Sequence, residues 1–236
     1  AGGYVAYSQN QECFRFMIDP MLATGTEKVS AMGYGNAINA LSDNEGGVAK
    51  YFSQRFAQVT NPPLDSIREA EGMTLRVALG AKPNIGLQKS RQIVIQSPIL
   101  SHSQMVKIRN QKEVPAALFN TLFKPVYGDM VSNERALIAG IDRTCDEVEK
   151  FARVSGGVAI LSDREVSRNC ASISMTLIVS AVNQRLIETG LRLRVSLIVE
   201  SGQICSSHHV ACALGFGAAA VYPLGVQMRA DEKFVD

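Results

Sequence analysis

The sequence predicts an α/β fold: βαβ units forming a parallel sheet or a rudimentary, incomplete β/α barrel, preceded by a helical N-terminal part. Three observations carry this reading. After residue 90, short apolar runs (VAILS at 158–162, VSLIV at 195–199 and the run at 218–222) alternate with helix-length amphipathic segments. The first two runs are almost wholly apolar, as parallel strands covered on both faces should be. The segments between the runs are long enough for the crossovers that parallel strands require, and such crossovers are right-handed almost without exception. The 236 residues, 46% hydrophobic and 19% charged, hold enough apolar mass for one sizeable core. The organisation is therefore a single domain, 1–236, with a mostly helical part over 1–90 and a βα-alternating part over 91–228.

In the helical part, Ser42 and Asp43 offer N-caps to a segment running to Gln58, where Val48, Phe52, Phe56 and Val59 fall near a 3.6-residue period. Asn61-Pro62-Pro63 must stop it, because proline removes a donor and disfavours the helical region for its predecessor. A second helix is predicted from Asp65 to Leu79, ending at Gly80. The loop-rich stretch GAKPNIGLQKS, 80–90, separates the two styles of sequence.

Beyond it, QIVIQ at 92–96 reads as a buried strand, 102–109 as a short helix and 118–123 as a short strand. Ser132 or Asn133 is expected to cap a long helix, with Leu137, Ile141, Cys145, Val148 and Phe151 or Ala152 as its apolar stripe and Gly156-Gly157 as its end. Strand 158–162, helix 172–188, strand 195–199, helix 206–214 and strand 218–222 follow. Residues 210–226 run 17 positions without a charge, but Gly215, Gly217, Pro223 and Gly225 break them into a helix end, a short strand and a turn rather than a membrane span.

Composition narrows the function. The 24 basic residues against 22 acidic ones leave a net charge of +2, which provides no broad field for nucleic acid or an anionic membrane. The five cysteines are scattered, odd in number and without a C-x-x-C, which reads as reduced, cytoplasmic thiols rather than a disulfide framework or metal set. No basic, then apolar, secretion signal opens the sequence at Ala1-Gly2-Gly3. Gly215-Phe216-Gly217 with Ala220 matches a dinucleotide fingerprint in letters only, since it follows a helix and opens a strand, the reverse of what phosphate binding needs. His208 and His209 are adjacent, so on a helix they diverge by about 100° and make a poor metal pair.

Ligands of parallel α/β architectures approach the carboxyl ends of the strands. There the sequence places Asp163, Arg164 and Glu200, with His208 nearby in the following helix, as a strand-end polar cluster. Two roles compete for it: binding an anionic substrate and moving a proton, or an ion-pair network that closes the mouth and fixes loop geometry.

The segment YFSQRFAQVTNPPLDSIRE, 51–69, is specific enough to suggest a family. So are FMIDPML at 16–22 followed by Ser30-Ala31-Met32-Gly33, QSPIL at 96–100, ILSDR at 160–164, LIETGLR at 186–192, LIVESG at 197–202, and His208-His209 with LGFGA at 214–218. Taken in chain order, over about 12–228, these blocks resemble the central domain of the glutamate synthase large chain. The resemblance implies a connector joining an amidotransferase domain and an FMN-binding domain with an iron–sulfur cluster, in cis or as separate chains, and bordering the ammonia route between them. It implies FMN and the cluster only in those other domains, with no cofactor in this chain. It also points to Met32, Gly33, Thr60, Asn61 and Pro62 as inter-domain or tunnel-side residues. The sequence departs from the family where Gln203, Cys205 and Ser206 replace an acidic residue and an arginine, and where Asn183-Gln184-Arg185 stands in a place that often holds histidines. The alternative is a free-standing small-molecule-binding protein or enzyme with its site at Asp163, Arg164 and Glu200.

Overall fold

In a computed structural model, the structure describes residues 2–28, 47–53, 57, 59, 61–83 and 90–234. The chain opens with short helical pieces: α1 (Gly2–Val5), α2 (Gln11–Cys13), a π-helical turn (Phe14–Ile18) and α3 (Asp19–Thr24). A 3₁₀ turn (Val48–Tyr51) and α4 (Ser66–Gly72) follow, then β1 (Val77–Leu79), β2 (Ile93–Ile95), α5 (His102–Asn110), β3 (Ala116–Asn120) and β4 (Leu122–Phe123). The remainder is α6 (Met130–Val154), β5 (Gly157–Ser162), β6 (Ala171–Ser172), α7 (Met175–Glu188), β7 (Val195–Ser201), α8 (Ser207–Gly215), β8 (Ala220–Pro223) and α9 (Leu224–Phe234), with a 3₁₀ turn (Arg192–Arg194) before β7.

The predicted class holds: four strands form one parallel sheet in the order β3-β5-β7-β8, and it does not close into a barrel. Spatial order follows chain order, as in a stretch of β/α barrel. Beyond β8 the chain adds a parallel bridge, Ile99 to Val221, with Leu100 N–H donating to Val221 O at 2.8 Å. Strand alternation then separates two cores. Ala159, Leu161, Leu197, Val199 and Val221 point to one face, where Val148 and Ala152 of α6 and Ile178, Val179 and Val182 of α7 cover them. Val158, Ile160, Ile198, Ala220 and Tyr222 point to the other, against Met105 and Ile108 of α5, Leu79 and Ile95 of the β1–β2 ribbon, and Tyr7. The face that would line a barrel is thus filled by a helix and a ribbon.

Several elements depart from the sequence expectation. In the segment expected to be helical up to Gln58, Val48–Tyr51 is a 3₁₀ turn and Phe52 is extended, its ring edge-on to Phe216 at 4.9 Å. Ser42, Asp43, Phe56 and Gln58 lie outside the described residues. The helix from Asp65 stops at Gly72, and residues 77–79, expected to be its last turn, pair antiparallel with 93–95. Asp65 does cap it, accepting from Ile67 and Arg68 amides. Pairing of Val77 with Ile95 outweighs local helical preference here, and Val94, expected to be buried, faces outward on this two-stranded ribbon. The long helix begins earlier than predicted because Asp129, rather than Ser132 or Asn133, caps it, accepting from Val131 and Ser132 amides after a turn at Gly128. Ser172, expected to begin a helix, instead pairs with Leu122, as Ala171 does with Phe123, and that helix begins at Met175. Finally, the turn expected at Pro223 and Gly225 is absent: Pro223 ends β8, and Leu224 and Gly225 open α9 directly.

Candidate functional site

The cluster at the strand ends has two halves. Glu200, next to last in β7, is in register with Ser162 of β5 and Tyr222 of β8, so all three side chains share the α5 face. Its carboxylate is fully buried and held from both sides: Arg164 Nε donates to Oε1 at 2.6 Å, and Arg109, reaching from the last turn of α5, donates to Oε2. Ser162 Oγ donates to Oε1 at 3.1 Å. Burial opposes the charge of Arg164, but the hydrogen bond and charge of Glu200 outweigh it and hold the guanidinium above its ordinary pKa. The same guanidinium lies 5.9 Å from the Tyr222 ring centroid, and the Tyr222 hydroxyl is 3.2 Å from His102 Nδ1.

Asp163, one residue past β5, turns to a different set. Its carboxylate accepts from Ser201 Oγ at 2.6 Å, Ser172 Oγ at 3.0 Å, Gly202 N–H at 3.0 Å and Gln203 Nε2 at 3.4 Å. Burial is the largest influence on this carboxyl and raises its pKa, while those four donors pull the other way. Asp163 therefore ties the loops after β5, β6 and β7 together, and Glu200 ties β5 and β7 to α5. The two acids do not face one another across an open mouth.

The chain's own N-terminal segment fills the space above them. Tyr7 OH donates to Asp163 O at 3.1 Å, and its ring lies so close to Gly202 that a Cβ there would collide with it. Gln9 Nε2 donates to Gly202 O at 2.5 Å. Asp19 of α3 accepts from Arg229 of α9 at 2.9 Å through both oxygens and from Lys233 at 2.8 Å. The Arg229 hydrogen bond in particular lowers its pKa to about 2.

His208, expected beside the acids, bonds elsewhere: its Nε2 lies 2.7 Å from Ala49 O and 3.6 Å from Cys212 Sγ, tying α8 to the 3₁₀ turn. His209 Nδ1 accepts from Cys205 N–H at 3.2 Å, and burial, followed by the neighbouring His208, lowers its pKa to about 4. Burial also pushes the Cys205 thiol up to about 12. All five cysteines are free. Among the described residues no group of three or more His, Cys, Asp or Glu could hold a metal ion, and no helix is long and apolar enough to cross a membrane. Of the residues expected on an inter-domain side, Asn61 and Pro62 are exposed, while Met32, Gly33 and Thr60 lie outside the described residues.

Sequence reasoning missed Arg109, Tyr7 and Gln9. Arg109 is the last residue of the predicted short helix, and only the packing of α5 across the sheet brings it to Glu200. Tyr7 and Gln9 belong to no motif, and their partners lie 156 and 193 positions away.

Comparison with known proteins identifies the surroundings such a unit has elsewhere. The family model of the glutamate synthase central domain matches residues 3–235. A ferredoxin-dependent glutamate synthase of Cyanidium caldarium is 37% identical over 220 residues, covering 92% of this chain and 14% of the relative. The chloroplastic ferredoxin-dependent glutamate synthase 2 of Arabidopsis thaliana is 35% identical over 228 residues, 92% of this chain and 13% of the relative. An NADH glutamate synthase of Saccharomyces cerevisiae is 33% identical over 215 residues, 88% and 10%. The chain thus spans about a seventh or less of the length of these curated relatives.

Proposed function

This chain belongs to the glutamate synthase central-domain family, and on that premise we propose that it is the structural connector of a glutamate-forming enzyme rather than a catalyst by itself. In this reading it joins an amidotransferase domain to an FMN-binding domain and borders the passage by which ammonia travels between them, so that glutamine, 2-oxoglutarate and a reductant yield two glutamates. FMN and the iron–sulfur cluster belong to the neighbouring domains, and the compartment is cytoplasmic.

The observation that carries the non-catalytic reading is the state of the strand ends. Both acids there are already committed to structure, Glu200 to two arginines and Asp163 to four donors, and Tyr7 and Gln9 sit over them. A flavin seated at these strand ends as in a β/α barrel would need the room those two side chains take, so the residues present do not fit that cofactor here. A connector also needs an outward contact surface. The stretch carrying Asn61 and Pro62 supplies one, with Leu64, Ile67, Met73 and Leu75 exposed and no buried residue in α4. We assign the inter-domain contact to this face; the same role for Met32, Gly33 and Thr60 rests on the family resemblance alone.

The test is direct. The purified chain is expected to be folded, to lack flavin absorbance, and to be inactive toward glutamine and 2-oxoglutarate, while Glu200→Gln lowers its stability. Stoichiometric bound FMN, or turnover of either compound that Glu200→Gln abolishes, would overturn the proposal.

A further inference from the structure

One edge of the parallel sheet is closed by the chain itself and the other is open. At β8, Val221 N–H donates to Pro98 O at 2.7 Å, and Val221 O accepts from Leu100 N–H at 2.8 Å. At β3, two bonds at the ends of its pairing with β5 fix the phase: Val158 N–H donates to Pro115 O at 2.8 Å, and Thr121 N–H donates to Ser162 O at 2.9 Å. In a parallel edge strand the N–H and C=O of one residue point the same way, so Pro115, Ala117, Phe119 and Thr121 face β5 while Ala116, Leu118 and Asn120 turn their backbone outward. Asn120 O is taken up by Arg143 Nη2 at 3.1 Å and Thr144 Oγ1 at 3.3 Å. The outward N–H and C=O groups of Ala116 and Leu118 have no partner among the described residues, and Leu118 is 50% exposed. The devices that usually blunt such an edge are missing from this strand: AALFN, 116–120, holds no charge and no proline, and it pairs with β5 without a bulge.

A row of backbone donors and acceptors at strand spacing is matched by another extended backbone. We propose that an extended polypeptide segment of a neighbouring domain in the complete enzyme adds to β3 as a further strand of this sheet. Leu118 is in register with Ile160 and so lies on the α5 face, where the added strand would carry an apolar residue beside it. Size decides the source of the segment. A five-residue edge is about 17 Å long and one layer, about 10 Å, deep, so a strand laid on it covers on the order of 200 Å² of each partner, against about 800 Å² each in a stable free-standing complex. A second copy held only by this edge would fall apart, whereas a segment of a domain already tethered nearby acts at a millimolar effective concentration. The curated relatives, of which this chain spans about a seventh or less, have ample further chain to supply it. This inference rests on the connector reading, which it deepens by naming a second contact.

The test is residue-resolved amide hydrogen exchange in the isolated chain and in the complete enzyme. In the isolated chain, Ala116 and Leu118 are expected to exchange fast, and Ala117 and Phe119, bonded to β5, slowly. In the complete enzyme, exchange at Ala116 and Leu118 should slow by at least about tenfold, the worth of one good hydrogen bond. Leu118→Pro removes an outward donor and no bond to β5, a change an edge strand tolerates, and in the complete enzyme it should return Ala116 to fast exchange. Should that variant fail to fold, the wild-type comparison decides by itself. Unchanged exchange at Ala116 and Leu118 beside slowed exchange at residues 61–75 would overturn the added strand and leave the connector reading standing; unchanged exchange at both places would overturn the two together. Protection of Ala116 that survives Leu118→Pro, or protection that grows with the concentration of the isolated chain, would also overturn the proposal, the first by showing burial without pairing and the second by showing a second copy at the edge.

Discussion

Removing the two arginines that hold Glu200 tests whether the strand-end cluster is one cooperative unit. Glu200 is wholly buried, whereas the side chains of Arg109 and Arg164 are 33% and 43% exposed. Arg109→Met and Arg164→Met keep most of the aliphatic stem while deleting the charge. Each single change leaves Glu200 with one guanidinium and removes a charge that is already partly hydrated, so each should cost about 1 kcal/mol. The double change leaves a buried carboxylate with Ser162 as its side-chain donor, a condition that costs about 4 kcal/mol. The excess over the sum of the singles is then about 2 kcal/mol, against the roughly 0.5 kcal/mol scatter of independent sites. With a urea m-value of about 3 kcal/mol/M, the double variant's midpoint should fall by more than about 1 M. A double variant whose loss equals the sum of the singles would show that the arginines act as separate surface charges and that Glu200 is not the joint between α5 and the sheet.

Two further predictions follow from the same architecture. His209 has a folded pKa of about 4 against about 6.5 in an unfolded chain, so as pH falls from about 6.5 to about 4 the unfolded state takes up the proton first and stability is lost; above that window both forms are neutral and the contribution is constant. His209→Asn should flatten this part of the profile, measured as urea midpoints across pH, and an unchanged slope would refute the assignment. Gly202→Ala should drive the Tyr7 ring from its seat and cost about 1–3 kcal/mol, with faster amide exchange at residues 4–9 while the α6–α7 core stays protected. Adding Tyr7→Ala should then restore part of the loss; no restoration would mean that the clash lies elsewhere.

How much of this was legible in the sequence depends on the range of the interactions involved. The stripe Cys145, Val148 and Ala152, and the apolar runs at β5 and β7, are local patterns whose burial does not depend on knowing their partners, and they sit in the core as expected. Asp163 and Glu200 were found because chain direction alone puts strand ends at the mouth. Which of them would face the other was not legible, because side-chain alternation sends Glu200 toward α5, while Asp163, already past the strand, turns to the loops. Residues 77–79 show the converse: their propensity was weak, and a partner fourteen or more residues away decided that they form a strand.

The sequence by itself determined the class of fold, the order of its main strands and helices, and the family, because periodicity, caps and ordered sequence blocks are carried by neighbours along the chain. Only the tertiary structure decided that the sheet stays open, that α5 and the β1–β2 ribbon fill its inner face, and that Tyr7 and Gln9 cover its strand ends. Those outcomes depend on contacts between residues as much as 193 positions apart, and such contacts leave no periodic trace in the sequence because each is satisfied once, by shape and hydrogen bonding, where two distant segments meet.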